Sequence, residues 1–531
     1  MEHLVFTLVT FVLFTALVGI ISGKIVKNSD DQKTAKGYFL AGNGLGGFFI
    51  AGSMLLTNLS AENLVGLSGQ SYAANMSGMA WEATAVIATI IMAFVFLPMY
   101  LRKGYTTLPE FMEERYGVGV RRMVSILFLI GYLVIGIPVC LYAGAIAFEQ
   151  IFDFATVFGI SEGMALTILI VLVGIIGALY AVLGGMRAVA VSDTINGILL
   201  VLGSVLVVVF GFIAVGKLSG GGFIVGVKDV ITYEPAKLNA IGGKNDPVPF
   251  ACIFTGMLLA NLFYWGTNQV LIQRALVARS LPWPVVGLFC AALFGSIIST
   301  YNSFLNAAST VFMIDIYKPI FNPNLSEEAT VKLAKKIGWG FAAFAIIFTP
   351  FLDVLSTGLY DFGRSFTGFY NIPIITMVLV GMFSKKGSKL GAICATIFHI
   401  AFYACYKFIF PHIDTPFTNA VSGINYMYIY AISFVIMLVI IFVCSKIAPN
   451  TKVFDKSASR NDGYDMTAWK HKNAFAIWLV SFLVYEYFIF SPAGIATENK
   501  NVVRIAIVTA IFVIETIVLI VKEMNKRKKT A

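Results

Sequence analysis

Runs of about 20 apolar residues, the length a helix needs to cross a hydrocarbon core roughly 30 Å thick, recur along the whole chain. Their positions predict membrane-spanning helices over 4–23, 40–69, 80–101, 123–152, 164–184, 190–216, 249–277, 284–313, 337–360, 366–383, 390–411, 426–447, 474–493 and 502–521. The polar intervals between them leave no room for a soluble domain. The pattern is that of an all-α polytopic membrane protein whose main solvent is the lipid bilayer.

Charge then orients these helices. Only 12% of the 531 residues are charged, against roughly a quarter in soluble domains. The first stretch, Leu4–Gly23, has Glu2 before it and Lys24 and Lys27 after it. This order is the reverse of a cleavable signal peptide, so the segment is expected to stay as an anchor with the amino terminus outside. The basic segments Lys24–Lys36, Arg102–Arg122, Arg187 and Arg274–Arg279 then fall in the cytoplasm, while outer segments such as Gln70–Met79 and Asp153–Gly163 carry no Lys or Arg. Lys217–Val248 is an exception, an outer loop whose four lysines are offset by acids. A multi-pass protein of the cell inner (plasma) membrane is expected. The positive-inside pattern also accounts for the net charge of +10, so no nucleic-acid partner is inferred.

The alternation fails at one point. The single stretch Pro284–Met313 separates Arg274–Arg279 from Lys318–Lys336, and both of these look cytoplasmic. Thirty residues cannot cross twice, since two crossings need roughly 40. If alternation simply continues, every later basic segment ends up outside. The economical explanation is one helix missing near 280–284, with a strained connection there and poor or absent transport as the expected consequences.

Polar residues interrupt several of the apolar runs. The second contains Gly42-Asn43-Gly44-Leu45-Gly46-Gly47 and then Asn58, Glu62 and Asn63. An unwound helix frees carbonyls and exposes half-helix ends, which is how transporters build ion and solute sites at mid-membrane. Close helix packing through small residues is the competing reading, and buried amides and acids count against it. A second break, Asn261 to Gln269, mixes amides with Tyr264 and Trp265. Amides suit the hydroxyls of a sugar and aromatic faces suit its ring, although an interfacial aromatic belt would also collect Tyr and Trp. A third cluster, Ser296, Ser299, Thr300, Asn302 and Ser303, places hydroxyls on one helical face. Hydroxyls with freed carbonyls are hard oxygen ligands suited to sodium, while bonding back to their own helix is the ordinary alternative. The four histidines (His3, His399, His412, His471) are scattered and the six cysteines lack paired metal spacing, so neither an enzyme nor a structural metal is expected.

Tyr38-Phe39-Leu40-Ala41-Gly42, Leu56 to Glu62, Asn261 to Gln269 leading into Gln273 to Ser280, and Phe304 to Thr310 with Asp315-Ile316-Tyr317-Lys318 together resemble the solute:sodium symporter family, most of all its sodium/glucose cotransporter branch. The resemblance runs in order over Tyr38 to Lys386. It implies a five-plus-five inverted-repeat (leucine-transporter-type) fold with flanking helices, alternating access, and sodium as the coupling ion. The corresponding division is an anchor and loop at 1–36, a first repeat at 37–216, an outer loop at 217–248, a second repeat at 249–389 lacking one helix, and accessory helices at 390–531. By the same resemblance sodium is held by the carbonyls of Leu56, Leu59 and Ser296 and the hydroxyls of Ser299 and Thr300. Asp193 lies on its exit path. A small-molecule solute, a sugar, is contacted by Asn63, Glu82 and Asn261, with Tyr264 as inner gate. Glu82, next to Trp81, also fits a solvated carboxylate at a helix end.

Two departures from the family pattern bear on function. Arg364 stands where a sugar-transporting relative would have Gln, and it could bind a carboxylate or simply pair with Asp361. The chain also passes directly from Arg279-Ser280 through Leu281-Pro282-Trp283-Pro284 to what resembles the eighth core helix. An active symporter for a neutral sugar, or for an acidic sugar or other organic anion, and a transport-inactive, sensor-like or internally deleted member therefore both remain open.

Overall fold

The computed structural model describes residues 2–27, 33–58, 66–277, 300–354, 359–384, 387–450 and 465–530. These residues are helices joined by turns and loops. The elements used below are α1 (Glu2–Lys27), α2 (Ala35–Leu40), α3 (Gly47–Asn58), α4 (Met76–Lys103), α5 (Leu108–Tyr116) and α6 (Val118–Phe152). They continue with α7 (Glu162–Ala178), α8 (Gly184–Leu218), α9 (Gly256–Gly266), α10 (Gln269–Leu276), α11 (Thr300–Val311) and α12 (Glu327–Phe348). The last are α13 (Leu359–Phe383), α14 (Lys389–Ala404), α15 (Tyr426–Ile447), α16 (Lys472–Ile489) and α17 (Val502–Thr530).

Among the described residues eight helical runs are long and apolar enough to cross a membrane, fewer than the fourteen predicted stretches. The first stretch is the helix α1, whose side chains are described only in part, the eighth lies partly outside the described residues, and the other differences have physical causes. The run Glu162–Leu218 holds two predicted spans, joined at Gly185 with φ 60° and ψ −168°. The second and seventh predicted spans are interrupted helices, α2–α3 and α9–α10. The run leading into α12 opens with Glu327, Glu328, Lys332, Lys335 and Lys336, which lower its hydropathy. Helix starts follow ordinary capping chemistry: Ser326 and Ser388 accept from the backbone N–H of Ala329 and Gly391.

α3 and α8 pack unusually closely. A Cβ added at Gly52 would fall 2.6 Å from Thr194 Oγ1, so only glycine allows the approach. Thr194 Oγ1 also donates to the Phe49 carbonyl, 3.3 Å away. This contact sets the start of the sodium-candidate segment against the helix that carries Asp193.

The ends of many helices meet at one end of the bundle. A cavity of about 610 Å³ there is bounded by Lys36, Leu101, Arg121, Leu276, Lys318 and Glu327. Arg115 of α5 donates to the carbonyls of Gly381 (3.1 Å) and Ser384 (2.6 Å), which brings the end of α13 to the same place. Arg121 pairs with Asp315 (2.6 Å), and Thr107 Oγ1 donates to the same carboxylate (2.9 Å).

The ends of α10 and of the helix that continues from α11 thus lie together, although the alternation of crossings would set them apart. The helical run Thr300–Tyr317 rises about 27 Å at 1.5 Å per residue, and α10 packs along it, with Arg274 reaching Ser303 and Gln273 reaching Thr310. The expected break near 280–284 and the Pro284 start of the predicted span lie outside the described residues. The expectation that later basic segments end up opposite the early ones is not met, because packing holds Lys318, Glu327 and Ser384 beside Lys36, Arg115 and Arg121. Single cysteines placed at Ser326 and Ser384 are therefore expected to be labelled by a membrane-impermeant thiol reagent from the same side as one at Lys36. Labelling from opposite sides would contradict the arrangement.

Candidate functional site

The site grows from one turn of α4. Asn75 Oδ1 accepts from Ser77 N (3.0 Å), starting a tight turn that leads straight into Trp81, Glu82 and Thr84. Asn58, the last residue of α3, donates from Nδ2 to Glu82 Oε2 at 2.9 Å. Asn261 of α9 donates from Nδ2 to Thr84 Oγ1 at 2.9 Å and lies 3.4 Å from the Trp81 carbonyl. Arg364 of α13 sets its guanidinium 5.0 Å above the Trp81 ring. Three of the elements therefore converge on a single turn of a fourth.

The gap between α9 and α10 is stabilised locally. The amides of Thr267 and Asn268 both donate to the Phe263 carbonyl (2.8 and 2.9 Å). Asn268 Oδ1 caps α10 by accepting from Val270 N (3.1 Å) and also accepts from Tyr132 Oη (2.7 Å). An interrupted helix in lipid would leave costly orphan groups, and these bonds remove that cost.

Between these elements lies a small polar cavity of about 70 Å³, bounded by Asn58, Trp81, Asn261, Tyr264, Asn268 and Arg364. The sequence-predicted residues Asn261, Tyr264 and Arg364 are together here, and Glu82 joins them through Asn58. Glu82 is half-buried and hydrogen-bonded to an amide, unlike a freely solvated carboxylate. Asn63 and the side chain of Asp361 lie outside what is described.

The sodium candidates are placed in part. Leu56 is buried near the end of α3, and Thr300 opens α11, which packs against α3. Leu59, Ser296 and Ser299 lie outside the described residues. Asp193 of α8 is buried and paired with Arg274 of α10 at 3.3 Å. Its Oδ2 also accepts from Ser53 Oγ at 2.8 Å. Arg274 in turn donates to Ser53 Oγ (3.0 Å), to the Val270 carbonyl (2.9 Å) and to Ser303 Oγ. Ser53 and Ser303 each lie one turn from Leu56 and Thr300 on the side of the Lys36 end. The Asp193–Arg274 pair thus forms a polar floor beneath the sodium candidates, joining α3, α8, α10 and α11.

Arg274 was legible in the sequence only as part of the motif Gln273 to Ser280; the signal for its partner was an acid, Asp193, in an apolar run. Gln273 beside it donates to the Phe39 carbonyl (2.8 Å) and to Thr310 Oγ1 (2.9 Å), so the whole start of that motif is buried structure. Thr84 and Asn371, which also face this region, carried no signal beyond being polar residues within apolar stretches.

A helix broken at a polar centre, α9–α10, within a chain of membrane-length apolar helices, defines a multi-pass membrane transporter. The model of the sodium:solute symporter family matches residues 38–278 and 263–398. The chain is 36% identical over 532 residues to YidK, an uncharacterized symporter of Escherichia coli (strain K12), with 90% of each chain covered. It is 26% identical over 477 residues to a sodium/glucose cotransporter of Vibrio parahaemolyticus, covering 76% of this chain and 85% of that one. A solved substrate-bound, outward-open structure of a Na+-coupled sialic acid symporter superposes with a TM-score of 0.66 at 18% identity, over 83% of this chain and 98% of that one. The chain belongs to the sodium:solute symporter family. It has the inverted-repeat, leucine-transporter-type fold, it is a transporter and not an enzyme, and its coupling ion is sodium.

Proposed function

We propose that this chain carries a sugar inward across the cell inner membrane, with its amino terminus outside, by alternating access driven by the sodium gradient. The observation that carries this reading is the cavity in which Asn58, Asn261, Tyr264 and Arg364 meet beside the gap between α9 and α10. Amides offer both donors and acceptors to hydroxyls, and Tyr264 supplies an aromatic face at the inner side. Asn63, on the segment that follows α3, and Glu82 complete the polar set. Relatives include proteins named for glucose and for myo-inositol, both neutral polyols.

Sodium is assigned to the carbonyls of Leu56, Leu59 and Ser296 and the hydroxyls of Ser299 and Thr300, where binding would draw α3 and α11 together. Its exit leads past Asp193, so the Arg274 guanidinium has to yield before the ion leaves. The assignment of residues 37–216 and 249–389 to the two repeats, and of 390–531 to accessory helices, belongs to the same reading.

A second reading, a family member that binds without transporting, is favoured by a specific observation. The family model matches in two pieces that overlap over 263–278.

Uptake of radiolabelled glucose, myo-inositol and sialic acid into vesicles, with and without an inward sodium gradient, separates the readings. The symporter reading expects sodium-driven accumulation; sodium-dependent binding without accumulation would favour the second. Ser299→Ala combined with Thr300→Ala is expected to abolish the sodium dependence of binding while the protein stays folded, because alanine packs well in membrane helices. Unchanged sodium dependence in that double variant would move the ion elsewhere.

A further inference from the structure

Asn371 lies on α13, one turn beyond Thr367 and beside Tyr370, and all three border the polar cavity. The residue is 7% exposed. Its side-chain oxygen has no hydrogen-bond partner. The following residues Ile372, Ile374 and Ile375 are fully buried and apolar. A buried amide oxygen left without a donor is uncommon in a folded protein and is costly to maintain. In a residue that borders a cavity, such an oxygen points to a donor that an occupant of the cavity would bring.

Neighbouring helices fix the turn of α13 that precedes Asn371. The carbonyl of Ser365 accepts from Tyr403 Oη (2.7 Å) and from Tyr430 Oη (3.1 Å). The carbonyl of Arg364 accepts from Tyr430 Oη as well (3.0 Å). His399 Nε2 lies 2.9 Å from the Gly368 carbonyl, which can only accept, so this nitrogen carries the proton and Ser433 Oγ donates to Nδ1 at 2.6 Å. A Cβ at Gly368 would fall 2.3 Å from the Tyr430 ring, so α13 sits directly against α15. Three buried side chains of α14 and α15 therefore hold the turn that carries Arg364 and Thr367, and with it the angle at which Asn371 meets the cavity.

We propose that Asn371 is a solute-binding residue whose side-chain oxygen accepts a hydrogen bond from a hydroxyl of the bound solute. The inference rests on reading the cavity as the solute site. A hydroxyl is the group that fits, since it can donate to the amide oxygen and carries no charge into the apolar surround. A carboxylate offers only acceptors and is turned away from Asn371, toward Arg364. α13 therefore reads the solute at two points: a hydroxyl at Asn371, and at Arg364 either a second hydroxyl or an acid.

The test is a cycle between side chain and ligand. Sodium-dependent binding of D-glucose, myo-inositol and their monodeoxy analogues is measured on the full-length protein and on Asn371→Leu, with Asn371→Ala as the second variant should leucine impair folding. Loss of one neutral hydrogen bond is expected to weaken the parent sugar about tenfold. One monodeoxy analogue, already weak with the unaltered protein, should bind the variant no more weakly. If the variant weakens every analogue by the same factor, or none, the inference is overturned while the solute reading stands. If the unaltered protein binds none of the probes in sodium, the solute reading fails and the inference with it.

Discussion

Arg274→Leu is expected to abolish recovery of folded protein. The guanidinium is buried on α10 and holds Asp193, Ser53 and Ser303 from three other helices. Removing it leaves the Asp193 carboxylate without its countercharge in the middle of the bundle, and breaking a buried pair in this way typically costs about 3–5 kcal/mol. Detergent-extracted protein should elute as aggregate in size-exclusion chromatography, or melt well below the parent. Because the penalty is mostly the orphaned charge, Arg274→Leu combined with Asp193→Asn should recover much of the loss. A single variant that melts like the parent would show that Asp193 is not charged when buried, or that another cation takes over.

The next largest effect is expected from Arg364→Gln, and it should depend on the charge of the solute. A guanidinium facing a carboxylate can make two parallel charge-assisted hydrogen bonds, which a glutamine amide cannot replace. Affinity for an acidic sugar such as sialic acid should fall by about two orders of magnitude, in the range seen when one partner of a buried charged pair is truncated. Affinity for a neutral sugar should change only several-fold, through loss of the contact with the Trp81 ring, worth roughly 0.5–2 kcal/mol. A neutral sugar is the expected substrate. Selective loss of acidic ligands, with neutral ones never bound, would reverse that preference.

Much of this organisation was legible in the sequence because lipid makes polarity conspicuous. A Glu, an Arg or an Asn inside an apolar run is costly enough to need a reason. Glu82, Asn261 and Arg364 were identified on that ground or by resemblance, and three helices bring them together around Trp81. Partners were harder to see than sites. Asp193 and Arg274 are 81 residues apart, and nothing in either segment says that one will neutralise the other. Asn371 has the same sequence signal as many residues that prove to be paired; only the fixed turn before it and its unpartnered oxygen distinguish it. The failure of charge alternation after Arg279 was also visible. Its outcome, with the later basic segments returned to the end that carries Lys36, depends on packing by Arg115 and Arg121 that hydropathy does not encode.

The contact of Gly52 with Thr194 limits which parts of the bundle can move. With no side chain on α3 to act as a cushion, any slip along α8 would drive Thr194 into the α3 backbone, so the two helices travel as one strut. The spacing between Leu56 and Asp193 is then constant through a cycle of rocking. On the sodium route proposed above, the two adjustable walls would be α10 and α11, and a descending cation would meet an unchanging anion on one side and a retractable Arg274 on the other.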